Sequence, residues 1–258
     1  MINVTYERKW LKRNEIWFCE DMESAVTKSE ADLVLVHRID RLSIDDTSSS
    51  AIIKKQHSLI TDLNAEPEKL FQRLNKNYRY EINRANKEGV QCVSYLSKDL
   101  RSNPEVLALF EREYSDFVRS KGIVNAYNKP AMDQYIANSN VLLTRASKDG
   151  KVYAQHIYLH DETIARLLYS VSNFRTEGVD PSLVGRANKY LHWYDIQYLC
   201  KEGIEILDWG GISSIENPNG VDRFKKGFGG EECTYYNVTI GRSIKGRLAI
   251  SIIKLKRS

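Results

Sequence analysis

One stretch of the sequence combines glycine, basic side chains and a predicted helix start, a pattern that suits phosphate. Ser172-Asn173-Phe174-Arg175 leaves a predicted strand, and Gly185-Arg186-Ala187-Asn188-Lys189 lies at the start of the next predicted helix. Free N–H groups and partial positive charge at a helix start attract anions, glycine permits close backbone approach, and Arg186 and Lys189 add charge. The pattern predicts a phosphate site, although helix starts with glycine are also common without one.

A second candidate lies at the end of a predicted strand, where Asp208 precedes Gly210 and Gly211. The carboxyl ends of strands in α/β sheets often face a ligand crevice. Asp208 is therefore a candidate to accept the proton of an attacking amine or to orient the acceptor. The alternative is an aspartate that caps the Gly210-Gly211 turn.

His192 and Asp195 fall on one polar face of the helix that follows Gly185. A histidine paired with an aspartate can act as a base, or hydrogen bonds can simply hold it on the helix face. Gln155 and His156 lie on a predicted strand and are candidates to line a cleft beside Tyr169. The candidate substrate contacts from this region are Gln155, Tyr169, Arg175 and His192.

A long helix predicted from Glu66 to about Glu88 carries a basic stripe opposite its apolar side. Glu66-Pro67-Glu68 opens the helix and Gly89 ends it. The basic side chains of the stripe fall within about 80° of arc; they are Lys69, Arg73, Lys76, Arg84 and Lys87. The stripe is either a solvated face or a site for phosphates of a nucleotide-linked or lipid-linked acceptor. Lys76 and Arg79 are the candidate substrate contacts on this helix.

Hydrophobic periodicity and turn residues predict the elements that position these side chains. The predicted strands are Ile16–Cys19, Leu33–His37, Ala51–Ile53, Ser58–Ile60, Val90–Leu96, Val141–Ala146, Val152–Leu159, Ile164–Val171, Glu205–Asp208 and Tyr235–Ile240. Further helices are predicted over Pro104–Lys121, Lys129–Asn138, from Pro181 to before Gly203, and over Val221–Phe228, with Leu248–Lys256 as a tail.

This order predicts an α/β protein with a mixed sheet, because an antiparallel meander precedes a crossover helix. It excludes a purely parallel Rossmann order. The polar stretch Ser97–Asn103 is the expected boundary between two domains, residues 1–98 and 99–258.

Bulk properties indicate a soluble globular protein that stays in the cytoplasm. The 258 residues are 42% hydrophobic and 28% charged, values that are ordinary for such proteins. No apolar run approaches the 18–20 residues or so that span a bilayer, and the polar start lacks the apolar core of a secretion signal. The four cysteines lie far apart without ligand spacing, so no metal is expected. The net charge of +4 does not by itself indicate nucleic acid.

Several segments together resemble the Fem family of GNAT-type acyltransferases. Leu74–Val90 resembles the family's Lys-x-x-x-Arg…Ile-x-x-Ala-x-Lys-x-Gly-Val helix, and Gly185–Trp193 resembles a helix start in one subgroup. Ser182–Ala187 is similar to the GNAT signature Arg/Gln-x-x-Gly-x-Gly/Ala, with serine in the first position. Asp208–Ile212 and Gly220–Gly230 resemble the family's Asp-x-Gly-Gly and Phe-Lys-x-x-Phe-Gly-Gly ending. The resemblance covers roughly residues 64–237.

The resemblance implies a GNAT acyltransferase fold with a reduced N-terminal lobe and an amide-forming acyl transfer that needs no metal. Lys225 is then the first catalytic candidate, since a lysine near the reacting carbonyl offsets developing negative charge or contacts a phosphate. Asp208 is the second. The alternative for Lys225 is a surface lysine on a short helix. Phe224, beside it, is either a packing residue or a substrate contact.

The resemblance leaves the donor open. Fem-type enzymes use aminoacyl-tRNA, and the basic stripe is a candidate tRNA contact. However, residues 1–98 are too short for a full lobe, which favours acyl-CoA as donor and an amino group of a cell-envelope or polysaccharide precursor as acceptor. The alternatives are a tRNA-dependent transferase acting on a peptidoglycan precursor and a non-catalytic binding module. No DNA partner is expected; peripheral contact with a membrane-linked precursor is compatible with this assignment.

Overall fold

The computed structural model describes residues 1–40, 50–122, 127–174 and 178–256. The chain divides into two compact units. The first comprises Met1–Ser58, Asn128–Asn138 and Cys233–Ser258, and the second comprises Leu59–Tyr127 and Ser139–Glu232. The predicted boundary between residues 98 and 99 falls inside the second unit, because the first unit is assembled from three separate pieces of chain that no single cut reproduces.

The described residues contain ten strands and nine helices, and the α/β class is confirmed. The strands are β1 (Ile2–Arg8), β2 (Leu11–Trp17), β3 (Leu33–Ile39), β4 (Ala51–Asp62), β5 (Gln91–Leu96), β6 (Val141–Lys148), β7 (Lys151–His160), β8 (Ile164–Ser172), β9 (Ile206–Asp208) and β10 (Glu231–Gly241). The helices are α1 (Met22–Thr27), α2 (Pro67–Arg73), α3 (Lys76–Lys87), α4 (Ser97–Ser102), α5 (Pro104–Ser120), α6 (Lys129–Ala137), α7 (Pro181–Lys201), α8 (Gly220–Lys226) and α9 (Ile244–Leu255). Within the described ranges, no helix is both long and apolar enough to cross a membrane.

In the first unit the strands follow the order β1-β2-β3-β10-β4. β2 and β3 are parallel, whereas β1–β2 and β3–β10 are antiparallel. α6 belongs to this unit because the Tyr135 hydroxyl donates to buried Glu15 and accepts a hydrogen bond from Trp17 Nε1 (2.9 Å). β1 was absent from the sequence prediction, although its buried residues alternate along the strand: Ile2, Val4 and Tyr6.

In the second unit the order is β4-β9-β8-β7-β6-β5, with β8 and β9 parallel and the other pairs antiparallel. The predicted meander β6-β7-β8 and the crossover helix α7 are both present. α7 packs on β6, β7 and α3. A core cluster of this unit includes Leu59, Leu142, Tyr158, Trp193, Trp209 and Phe228.

Several predicted elements differ from the structure, among them the strands over Ala51–Ile53 and Ser58–Ile60, which are one strand, β4. The helix over residues 66–88 is two helices, because Leu74 is extended and buried and Asn75 accepts a hydrogen bond from the Asn77 N–H as the N-cap of α3. The stretch around Ser97–Asn103 is mostly the short helix α4 rather than a linker. The tail over residues 248–256 is part of α9, whose N-cap Ser243 accepts a hydrogen bond from the Gly246 N–H.

Gly203 lies before β9 and Gly210 after it. Alanine substitutions at the two positions test how closely the backbone packs after β9. Gly203 and Gly210 have φ of +79° and +77°, so alanine costs about 1–2 kcal/mol of backbone strain at either position. A Cβ at Gly203 meets nothing within 4 Å, whereas at Gly210 it would lie 2.1 Å from the Leu167 carbonyl oxygen. We expect Gly210→Ala to lower the free energy of unfolding well beyond Gly203→Ala in urea titrations. Equal losses would contradict the close packing at Gly210.

Candidate active site

The second unit contains a cleft of about 830 Å³ between the end of β8 and helices α5, α7 and α8. Among the described residues, its walls carry four lysines and two acidic residues: Lys121, Lys151, Lys189, Lys225, Glu113 and Asp116. Gly185, Asn188, His192 and Phe224 also line it. The cleft is therefore lined by several of the predicted site residues between Gly185 and Lys225.

Lys225 is positioned by α8, whose start is fixed by a buried carboxylate. Asn219 caps the helix, and Asp222 accepts hydrogen bonds from the backbone N–H groups of Asn219 (3.1 Å) and Ser213 (3.0 Å). Burial alone would raise the pKa of Asp222, but hydrogen bonds led by Ser213 lower it below its usual value. Asp222 is thus a stable anion that holds the loop before Lys225.

The Lys225 ammonium group lies against the strand end that carries two glycines. Its Nζ donates to the carbonyl oxygens of Gly211 (2.7 Å) and Gly210 (3.3 Å). Burial first, and then the nearby Arg166 guanidinium, lower the pKa of Lys225 to about 8. The carboxylates of Asp208 and Asp222 act in the opposite direction and raise this pKa. Lys225 is therefore a partly desolvated cation in the cleft wall.

Asp208 is fully buried and forms an ion pair with Arg166, at 2.6 Å between Oδ2 and NH1. Its Oδ1 accepts a hydrogen bond from the Gly210 N–H (2.9 Å), which is the turn-capping arrangement considered from the sequence. Asp208 is not among the residues that line the cleft, and its charge acts on Lys225. Arg166 was missed, although a single charge inside the apolar strand β8 signals a buried partner.

The glycines around α8 allow that helix to approach α3. A Cβ at Gly227 would lie 2.3 Å from the Tyr78 ring, and a Cβ at Gly229 would lie 2.8 Å from the Arg73 carbonyl oxygen. The Asn75 N–H donates to the Gly227 carbonyl at 2.8 Å. The Lys-x-x-x-Arg helix and the Phe-Gly-Gly ending identified in the sequence are therefore packed against each other.

His192 lines the cleft but does not pair with Asp195. His156 occupies that position: its Nδ1 lies 2.6 Å from Asp195 and its Nε2 lies 3.0 Å from Asn188 Oδ1. The two imidazoles stack at 4.0 Å. Within the described chain, His192 Nδ1 has no hydrogen-bond partner. Burial first, and then His156 and Lys225, lower the pKa of His192 well below its usual value, so the ring is neutral at neutral pH.

The donor atoms of His156, His192 and Asp195 lie within 4.8 Å of one another, close enough to consider a metal ion. The two rings are nearly parallel, with 24° between their planes. Lone pairs of imidazole nitrogens lie in the ring planes, so stacked rings cannot both direct a nitrogen at one ion. This arrangement suits a hydrogen-bonded cluster better than a metal site.

The predicted phosphate site is only partly assembled. α7 begins at Pro181, and its N-cap Asp180 accepts from the Ser182 N–H at 2.9 Å, so a carboxylate covers the helix start one turn before Gly185. Arg186 binds Glu88 at 2.9 Å instead of facing the cleft. Ala187 is buried in the core. Gly185, Asn188 and Lys189 line the cleft.

Lys189 is held at the cleft by both charge and aromatic rings. Its Nζ lies 2.5 Å from Glu81, 4.9 Å above the Tyr78 ring and 5.7 Å from the Phe224 ring. Phe224 also packs against Phe228, with ring centroids 5.4 Å apart. Phe224 is thus both a packing residue and part of the cleft wall.

Four further substrate candidates lie outside the cleft lining. Gln155 is buried, accepts from Arg145 (2.9 Å) and donates to Glu113 (2.7 Å). Tyr169 packs against the ring of Tyr114, with centroids 5.0 Å apart. On α3, Lys76 is exposed and Arg79 donates to the Gln72 carbonyl. Arg175 lies outside the described residues. The sequence analysis missed Lys121 and Lys151, which only the fold brings to the cleft.

The depressed pKa of Lys225 makes a prediction for stability. Between pH 8 and 10.5 the unfolded lysine binds a proton that the folded one has lost, so the free energy of unfolding rises with pH over this interval. Lys225→Met removes this contribution. The free energy of unfolding of wild type should therefore rise relative to that of the variant between pH 7.5 and pH 10. The control Lys226→Met removes a lysine bound to Glu232. Parallel pH profiles for wild type and Lys225→Met in urea titrations would contradict the shifted pKa.

Comparison with known proteins identifies the fold. No protein-family profile and no curated protein matches the sequence. Among solved structures, FemX superposes with a TM-score of 0.62 at 11% identity, covering 92% of this chain and 83% of FemX. The C-terminal domain of a protein assigned as a lysylphosphatidylglycerol synthetase, from Agrobacterium fabrum, gives 0.59 at 12% identity, covering 98% and 84%.

A third structure, L-PGS from Bacillus licheniformis, gives a TM-score of 0.50 at 12% identity and covers 97% of this chain and 88% of that one. At such identities the likeness concerns the fold alone. The GNAT/Fem-like fold that the sequence motifs implied is therefore the fold of this chain.

Proposed function

We propose that this chain is a transferase that moves an acyl or aminoacyl group from an activated donor to an amine, with the reaction in the cleft beside Lys225. The observation that carries the proposal is the partly desolvated Lys225 ammonium, held by two backbone carbonyls at the cleft wall. A cation at this position would stabilise the negative charge that develops on the carbonyl oxygen when an amine attacks an acyl carbon.

The geometry around Lys225 suits a tetrahedral intermediate. An ammonium group has three N–H donors, and the Gly210 and Gly211 carbonyls use two of them. The third remains for the oxygen that becomes negatively charged when the amine attacks the acyl carbon. The amine nitrogen first bonds to the acyl carbon while the carbonyl π electrons move to the oxygen. When the carbonyl re-forms, the bond to the leaving group breaks, and the leaving group departs with the proton that the amine has lost.

Neutral His192 is the residue that accepts the proton of the attacking amine in this proposal. It lines the cleft, and its low pKa keeps one ring nitrogen unprotonated at neutral pH. The same shift makes it a weak base, so it accepts the proton only once the forming C–N bond has made the amine acidic. His156, anchored by Asp195 and Asn188, holds the stacked ring of His192 in place. This replaces the earlier expectation that His192 itself pairs with Asp195.

Aminoacyl-tRNA is the donor that the described residues favour. Acyl-CoA was expected to place its pyrophosphate at the start of α7, where Asp180 caps the helix and Arg186 is bound to Glu88. A carboxylate at that position opposes a phosphate. In contrast, α2 and α3 carry exposed basic side chains in the same unit as the cleft, although Arg84 pairs with Glu88: Lys69, Arg73, Lys76, Arg84 and Lys87.

The acceptor in this proposal is the amino group of a cell-envelope precursor, such as a peptidoglycan peptide or an amino sugar. Lys121, Lys151 and Lys189 give the cleft positive charge for a phosphate on the acceptor or the donor. Acyl-CoA remains the alternative donor. A non-catalytic binding module is the alternative to transfer, and the transfer assay separates them.

The proposal is tested by transfer of label to amine acceptors. Total tRNA charged with radiolabelled amino acids, or labelled acetyl-CoA, is mixed with the protein and either a muramyl pentapeptide precursor or glucosamine 1-phosphate. We expect transfer from charged tRNA, and a loss of about 10²-fold or more in Lys225→Met. Because phosphate contacts release counterions, transfer should fall steeply as salt rises from about 50 to 200 mM.

Lys226→Met is the matched control and should retain wild-type transfer, because Lys226 pairs with Glu232 and does not line the cleft. Label transferred only from acetyl-CoA would establish the alternative donor. Transfer that persists in Lys225→Met would contradict the assigned site. No transfer from either donor would favour the binding module.

A further inference from the structure

Helix α9 exposes four large apolar side chains although it belongs to a folded unit. The exposed fractions are 86% for Ile244, 56% for Leu248, 43% for Ile252 and 79% for Leu255. At about 100° per residue, these four positions fall within an arc of about 80° on one side of the helix. They therefore form a continuous apolar stripe facing solvent.

The opposite side of α9 anchors it to the first unit. Ala249 and Ile250 are buried in a cluster with Leu11 and Leu33. A Cβ at Gly246 would lie 1.9 Å from the Asp32 carbonyl oxygen, so the helix backbone packs directly on that loop. Because the other side of α9 is already packed on the first unit, the helix is held in place and the exposed stripe is its second apolar face.

Basic side chains border the exposed stripe on both of its edges. Lys245 and Lys256 lie on one edge, Arg247 and Lys254 lie on the other, and all four are exposed. Residues 242–256 contain no aspartate or glutamate. An apolar stripe flanked by lysine and arginine matches the helices that lie in the interface of a bilayer with anionic lipids.

The hairpin end between β1 and β2 lies beside the start of α9 and also exposes an apolar and a basic side chain. Asp32 joins them: its carboxylate accepts hydrogen bonds from the Lys12 N–H (3.0 Å) and the Ser243 hydroxyl. At this hairpin end Trp10 is 51% exposed next to exposed Lys9. Tryptophan beside lysine is typical of side chains placed at a membrane–water interface.

We infer that the exposed face of α9, with the neighbouring hairpin end, docks this protein on the surface of an anionic lipid bilayer. The apolar stripe enters the boundary between headgroups and acyl chains, and the flanking lysines and arginines bind lipid phosphates. The inference concerns the first unit and does not depend on the proposed transfer reaction, since the cleft lies in the second unit.

Vesicle sedimentation tests this inference with the full chain. Vesicles of phosphatidylcholine alone are compared with vesicles containing about 30% phosphatidylglycerol, because anionic lipid attracts clustered basic residues. We expect binding to the anionic vesicles that weakens at high salt. The double variant Leu248→Ser/Leu255→Ser and the charge variant Lys245→Gln/Arg247→Gln should each reduce binding about tenfold or more.

The matched controls lie in the second unit. Val93→Ser removes an apolar side chain that is 38% exposed, and Lys201→Gln removes an exposed lysine from α7. Both should bind vesicles like wild type. Equal binding by wild type and the α9 variants, or no binding to anionic vesicles, would overturn the inference. A dimer in sedimentation velocity that Leu248→Ser/Leu255→Ser abolishes would assign the face to a second copy and would also overturn it.

Discussion

The buried ion pair between Asp208 and Arg166 is the interaction on which the candidate site depends. Arg166 on β8 forms this pair with Asp208 at the end of β9, so the carboxylate is committed to the guanidinium. Both charges, together with buried Asp222, act on the pKa of Lys225. Asp208 pairs with Arg166, and Asp222 accepts hydrogen bonds at the start of α8. The half-buried Lys225 ammonium is therefore a cation that can stabilise new negative charge.

The surrounding elements serve to keep this cation in place. Asp222 and Asn219 fix the start of α8, the Gly210 and Gly211 carbonyls hold the ammonium group, and Tyr78 packs where Gly227 has no side chain. Because α3 also carries part of the basic stripe, the same packing places exposed cations and the cleft in one compact unit. The packing that positions Lys225 thus also positions exposed basic side chains of α3.

The sequence predicted most of the second unit because its strands alternate and its turns carry strong signals. The meander β6–β8, with Asp149-Gly150 at the first turn, needed no long-range information. Local patterns could not predict partners. Asp195 and His192 share a helix face, yet Asp195 binds His156 from β7. Similarly, Arg186 binds Glu88 at the end of α3.

The first unit was harder to predict because its pieces are distant in sequence. Buried Glu15 looks like a surface charge until Tyr135, 120 residues away, donates to it. α9 was taken for a tail because its apolar residues cover two sides of the helix, and only one side packs on the unit. Periodicity finds a helix with one buried side more readily than a helix with two apolar sides.

In the proposed reaction the reacting carbonyl binds beside Lys225. A crystal structure with a 3′-aminoacyl-adenosine analogue whose amide linkage resists transfer tests this placement. We expect the acyl oxygen to lie about 3 Å from Lys225 Nζ, the distance of a hydrogen bond, with His192 on the side of the incoming amine. An analogue bound elsewhere, with Lys225 in contact only with the Gly210 and Gly211 carbonyls, would contradict it.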